Sequence, residues 1–178
     1  MKKIWIGLIC LVAMAAGAVA GSYATDASGN WDNDTNWGGA EPVATEDTFI
    51  RSGTNNVYVT LDGEVANRLT LGQSGSQATL YVMSGSLELT GDGTVAPGQL
   101  YTSWGGLGET KGVVNLSGGS LTALGYGTNC DSAGDIAQLN ISGGTFDLNG
   151  HMFVGGGHAD ADDSVNITGV DALIDISN

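Results

Sequence analysis

The chain has 178 residues, a formal net charge of −14, 42% hydrophobic residues and 30 glycines against 2 prolines. That length fits one domain, and the acidic balance disfavours nucleic acid and anionic membrane surfaces as partners. An ordinary apolar content excludes the disordered class, so a packed core is expected.

The N-terminus opens Met1-Lys2-Lys3 and runs apolar from Ile4 to Ala20, with small residues at Ala18-Val19-Ala20 and Ser22-Tyr23-Ala24. A basic start, an apolar middle and a small-residue exit describe a secretory signal peptide over residues 1–24. A permanent membrane helix is the rival reading, but the run is short for a span and rich in Ala and Gly. Cys10 lies inside the apolar run, preceded by Ile9 where a lipoprotein signal would carry a small residue. Once the segment is removed, Arg51, Arg68 and Lys111 face all 19 acids. Cys130 is then the one cysteine left, so no intramolecular disulfide forms, and it is read as an inert loop thiol.

Residues 25–64 read as an N-terminal cap and first strands. Thr25 to Glu46 is polar and turn-rich, with Trp31 and Trp37 standing out. Asp47-Thr48-Phe49-Ile50-Arg51 and Val57-Tyr58-Val59-Thr60-Leu61 alternate as half-buried strands do, with Gly53-Thr54-Asn55-Asn56 as the expected turn between them. After the leader no apolar period of the helical kind appears, which predicts an all-β chain.

Over residues 65–178 one phrase recurs. Its clearest copy is Ala137-Gln138-Leu139-Asn140-Ile141-Ser142-Gly143-Gly144-Thr145-Phe146-Asp147-Leu148. Aligned on Val82, Leu116, Ile141 and Ile167, the copies sit 34, 25 and 26 residues apart. The next inward apolar residue, Leu87, Leu121 or Phe146, lies five positions on, and in the last copy Ile174 lies seven on. A further apolar segment precedes each copy: Leu69-Thr70-Leu71, Leu100-Tyr101, Leu124-Gly125-Tyr126 and Met152-Phe153-Val154. A unit of about 25 residues with three short strands buries nothing by itself, but stacked on its own copies it forms inward columns and parallel sheets. The fold predicted is a parallel β-helix, or β-solenoid, right-handed by the general crossover preference. A β-sandwich is the competitor, but it does not require the phrase to recur in register. The longest interval holds an insertion at Thr90–Gln99, and insertions of this kind bulge from one edge of a solenoid. The chain ends on the apolar Leu173-Ile174-Asp175-Ile176-Ser177-Asn178, which leads us to expect a longer array or end-to-end self-association.

Trp31-Asp32-Asn33-Asp34-Thr35-Asn36-Trp37, Gly38-Gly39-Ala40-Glu41-Pro42 and the Ser-Gly-Gly repeats resemble the secreted β-repeat proteins of planctomycete-like bacteria. Those proteins look like passengers built of autotransporter-associated β-strand repeats, and many carry a PEP-CTERM sorting tail. The resemblance implies a structural or adhesive role at the cell surface or outside the cell. It does not extend to a Pro-Glu-Pro motif, a terminal apolar helix or a basic tail within these residues.

Candidate sites are few. Trp31 and Trp37 are read as a cap over the first coil, with sugar stacking as the alternative. Tyr101 and Trp104, beside the insertion, are the candidate ligand-binding aromatics. Asp160, Asp162 and Asp163 follow Gly155-Gly156-Gly157-His158 and are the candidate metal residues; Glu109, Asp131 and Asp135 should share their edge. No cofactor is expected, although Ca²⁺ is the ion such carboxylates would suit; a solvated acidic edge is the preferred reading. Asn115-Leu116-Ser117, Asn140-Ile141-Ser142 and Asn166-Ile167-Thr168 read as glycosylation sequons only because the repeat recurs. Polysaccharide lyases on β-helices need a base and cations gathered at one place, whereas Arg51, Arg68 and Lys111 are spread over different coils. The expectation is a secreted, non-catalytic structural or adhesin-like solenoid whose partners are extracellular polysaccharide or other surface proteins. The alternative is a carbohydrate-binding or polysaccharide-degrading β-helix module.

Overall fold

The computed structural model describes residues 21–23, 28–51, 53–91, 98–104, 109–130, 132–155 and 158–176; the expected leader therefore lies outside them, except for residues 21–23. The chain is an all-β parallel solenoid of about 5 turns with about 26 residues per turn. Among the described residues the one helical element is a 3-10 turn at Asp34–Trp37.

Each coil has three faces. The first stacks Gly29–Asn30, Thr54–Val59, Gln77–Val82, Lys111–Leu116, Ile136–Ile141 and Asp162–Ile167, all parallel. The second holds Glu64–Ala66, Ser86–Leu89, the leading halves of Ser120–Asn129 and Gly144–Phe153, and Ala172–Ile176. The third holds Gly21–Ser22, Asp47–Ile50, Arg68–Gln73, Gln99–Trp104 and the trailing halves of those two long strands. Second and third faces merge in the two long strands, which bend where the register slips between Ala123 and Gly125.

The core is a set of columns down the axis. Val59, Val82, Leu116, Ile141 and Ile167 are register partners on the first face, as are Leu87, Leu121, Phe146 and Ile174 on the second. Within these files every side chain from Val59 to Ile141 and from Leu87 to Phe146 is buried. The Ser-Gly-Gly corner follows from how closely the coils approach. A Cβ on Gly118 would stand 2.2 Å from the Met83 carbonyl oxygen of the coil below, and Gly119 turns with φ of 69°, in the left-handed region that glycine enters without cost.

Two details depart from the sequence reading. Thr54, Asn55 and Asn56 are not a turn: they open the strand Thr54–Val59, which pairs in parallel with Gln77–Val82. The chain thus makes one more copy of the repeat than the alignment revealed. Five residues after Val59 comes Glu64, the register partner of Leu87 and so the first member of the second face's inward file.

The N-terminal end is closed. Trp31 and Trp37 pack edge to face at 4.8 Å, Tyr23 meets Trp37 at 5.0 Å, and all three are buried. The Trp37 indole N–H donates to the Trp31 carbonyl at 2.6 Å, and the Asn33 side chain caps the 3-10 turn by accepting from Thr35 N–H at 3.1 Å. Both tryptophans lie in the buried cluster that also holds Val57 and Val59.

Candidate binding face

The outward surfaces of the three faces differ in chemistry. On the first, the outward file is Tyr58, Tyr81, Asn115, Asn140 and Asn166. Its groups serve one another. Tyr58 and Tyr81 stack at 5.1 Å, Asn140 Nδ2 donates to Asn115 Oδ1 at 3.0 Å, and Asn166 Nδ2 donates to Asn140 Oδ1 at 2.9 Å. The recurring sequons are therefore an asparagine ladder that ties coil to coil. The second face is acidic outside, with Glu88, Asp147 and Asp175 in one file.

The third face is aromatic. Phe49, Thr70, Tyr101, Gly127 and Phe153 are successive register partners pointing outward, since Ile50, Leu71, Leu100 and Tyr126 beside them are buried. Tyr101 and Trp104, the aromatics singled out from the sequence, lie here together with ring centroids 4.5 Å apart. Their meeting depends on a local irregularity. In a regular strand Tyr101 and Trp104 would project to opposite sides. Ser103 takes a left-handed φ of 55° and is fully buried, the register slips opposite it, and Trp104 is thrown outward at 40% exposure. Bulges commonly re-aim a side chain in this way.

Around the rings stand hydrogen-bonding groups. Arg51 lies over the Phe49 ring at 4.6 Å and donates to Gln73 Oε1 at 3.2 Å; Gln73 is the register partner of Trp104. Arg68 sits 5.9 Å from the same ring and is paired with Asp47 at 2.5 Å. Two of the chain's few cations thus share this face. Sequence reasoning did not connect Phe49, Arg51, Gln73 or Phe153 to Tyr101. The signal was the coil spacing itself, carried back one copy and forward one copy. Of the insertion before Gln99, residues 92–97 lie outside the described residues.

The acidic candidates do not converge. Asp162 accepts from Gln138 Nε2 at 2.5 Å, Asp160 is exposed with His158 Nδ1 at 3.9 Å, and Asp163 points inward as the register partner of Ala137. Asp135 is buried and spends its carboxylate on the Thr110 and Ser132 backbone N–H groups, at 2.8 and 3.0 Å. Asp131 lies outside the described residues. Among the described residues no three His, Cys, Asp or Glu side chains gather as a metal set.

Cys130 is buried, and desolvation pushes its thiol up to about 12; the Ser103 hydroxyl beside it offsets this only in part, and Asp163 adds to the rise. At neutral pH it is a protonated, unreactive thiol. Burial likewise raises the Tyr126 phenol to about 12, where it shares a 3.0 Å hydrogen bond with Thr102.

Fold and surface together define a parallel β-solenoid whose third face carries an outward file with Phe49, Tyr101 and Phe153. No family model, curated protein or solved structure matches the chain.

Proposed function

We propose that this protein is a secreted, non-catalytic solenoid with a structural or adhesive role at the cell exterior, of the kind found among autotransporter-associated β-strand repeat proteins. The observation that carries the reading is the third face, where Tyr101, Trp104 and Phe153 are held outward on a rigid stack instead of being packed away. The leader-like start Met1-Lys2-Lys3 with its apolar run supports export. The non-catalytic part of the reading is supported by the engagement of Arg51 and Arg68 with Phe49, Gln73 and Asp47 and by the raised thiol of Cys130. The test is expression of the full chain in a bacterial host with an epitope tag. Recovery outside the inner membrane with the leader removed is expected; an uncleaved protein held in the cytoplasm overturns the reading.

A second reading, carbohydrate binding at Tyr101 and Trp104, is favoured by one observation, the bulge at Ser103 that brings the two rings together. Indole and phenol rings offer an apolar body with a polar edge, which suits the apolar faces of pyranose sugars. A glycan array checks it: a specific hit that disappears in Trp104→Ala supports it, and a blank array removes it.

A further inference from the structure

The outward file of the third face places an aromatic ring on every second coil: Phe49, then Tyr101, then Phe153, with Thr70 and Gly127 between them. Adjacent parallel strands lie about 4.8 Å apart, so the positions that carry the rings repeat at roughly 10 Å along the solenoid axis. On the first face Tyr58 and Tyr81 sit on consecutive coils and occupy each other's faces. On the third, the alternating small residues prevent such pairing: Thr70 is buried, and Gly127 has no side chain, so that the Tyr101 ring lies over it. The spacing matches the disaccharide repeat of an extended, equatorially linked glycan, whose alternate sugars present equivalent faces. Gln73 and Arg51 border the file with amide and guanidinium donors for hydroxyls.

From this juxtaposition we infer that the third face binds a neutral, extended polysaccharide of the cellulose or chitin type, lying along the solenoid axis across the strands, with Tyr101 and Phe153 under alternate sugars. The inference rests on the carbohydrate-binding reading and adds to it the polymer class, the direction and the period. Charge selects the neutral polymer. The formal net charge is −14, and the neighbouring second face exposes Glu88 and Asp175, so an acidic glycan meets repulsion. Length matters as well, because a chain reaching two rings gains the second contact without a second association.

The experiment is calorimetric titration of the mature chain with cello- and chito-oligosaccharides from two to five sugars, with an oligogalacturonide of the same length as the acidic comparison. Affinity is expected to rise by about tenfold or more from disaccharide to pentasaccharide, and to fall by about tenfold in Tyr101→Ala and in Phe153→Ala. Tyr81→Ala, on the first face, leaves it unchanged and reports on folding. Binding that the disaccharide matches, or that Trp104→Ala removes while Phe153→Ala does not, overturns the axial file and leaves a local sugar site at Trp104. Preference for the acidic oligomer overturns the polymer class. Absence of binding to every glycan removes the file and the carbohydrate reading together, while leaving export and a structural role to their own test.

Discussion

The two ends of the solenoid are built from the same repeat and meet water in opposite ways. At the N-terminal end Tyr23, Trp31 and Trp37 lie over the first coil, and the columns beneath them are buried from Val57 and Val59 onward. At the C-terminal end Ile167 and Ile176, the register partners of the buried Ile141 and Leu148, are each more than half exposed. What differs is the layer on top. A coil buries its aliphatic side chains only when another layer covers them, so stability in this architecture belongs to interfaces between coils and not to the coils. Five substitutions probe that contrast.

The largest effect is expected at the cap. Trp31→Ala removes a fully buried indole and the ring against which Trp37 packs, and should cost about 4 kcal/mol. Ile174→Ala, at the matching depth of the open end, removes a partly buried side chain and should cost about 1 kcal/mol. Urea denaturation measures both. Equal losses would mean that the C-terminal coil is covered in solution and that the two ends do not differ.

Glu64 is the next test, because it puts a carboxylate into the first position of an otherwise apolar file. It is 8% exposed, and its register partner is Leu87. Desolvation, then the nearby carboxylates of Glu41 and Asp32, raise it from 4.5 to about 7. The folded chain holds this proton more tightly than the unfolded chain. The stabilisation is therefore complete below pH 4.5 and falls as pH rises from 4.5 towards 7. Glu64→Gln should raise stability at pH 8 by on the order of 2 kcal/mol and flatten the dependence across that window. Thermal unfolding from pH 4 to 8 decides it: parallel curves for the two proteins would place Glu64 in water.

The same residue shows how far the sequence could be read. The files through Val82, Leu116, Ile141 and Ile167 were legible because aliphatic residues recur beside Ser-Gly corners, and even the longer last corner before Ile174 shows in the numbering. The copy through Val59 was hidden, although it lies 23 residues before Val82, because Glu64 stands where Leu was expected and Asn55 and Asn56 imitate a turn. Asn55 is in fact buried as the register partner of Ala78. Tyr101 and Trp104 were visible as residues but not as a pair. Their meeting depends on a left-handed serine at position 103, which no local preference announces. Phe49 and Phe153 entered the site only through the coil period, which aligns residues 104 positions apart in sequence.

The smallest effect distinguishes an interior coil from the last one on the surface instead of in the core. Asn140 both donates to Asn115 and accepts from Asn166, whereas Asn166 bonds to only one ladder neighbour and is exposed. Replacing Asn140 with alanine breaks two ladder bonds and leaves the groups on both sides to water, at a cost of about 1 kcal/mol. Asn166→Ala breaks one ladder bond and the 3.2 Å bond to Ser164 Oγ, both at an exposed side chain where water replaces them readily, and should cost about 0.5 kcal/mol or less. The comparison requires matched urea titrations, read at constant slope so that only stability differs. A loss at Asn166 as large as that at Asn140 would show the ladder continuing past this coil onto another layer, and the apparent openness of that end would then belong to the isolated chain alone.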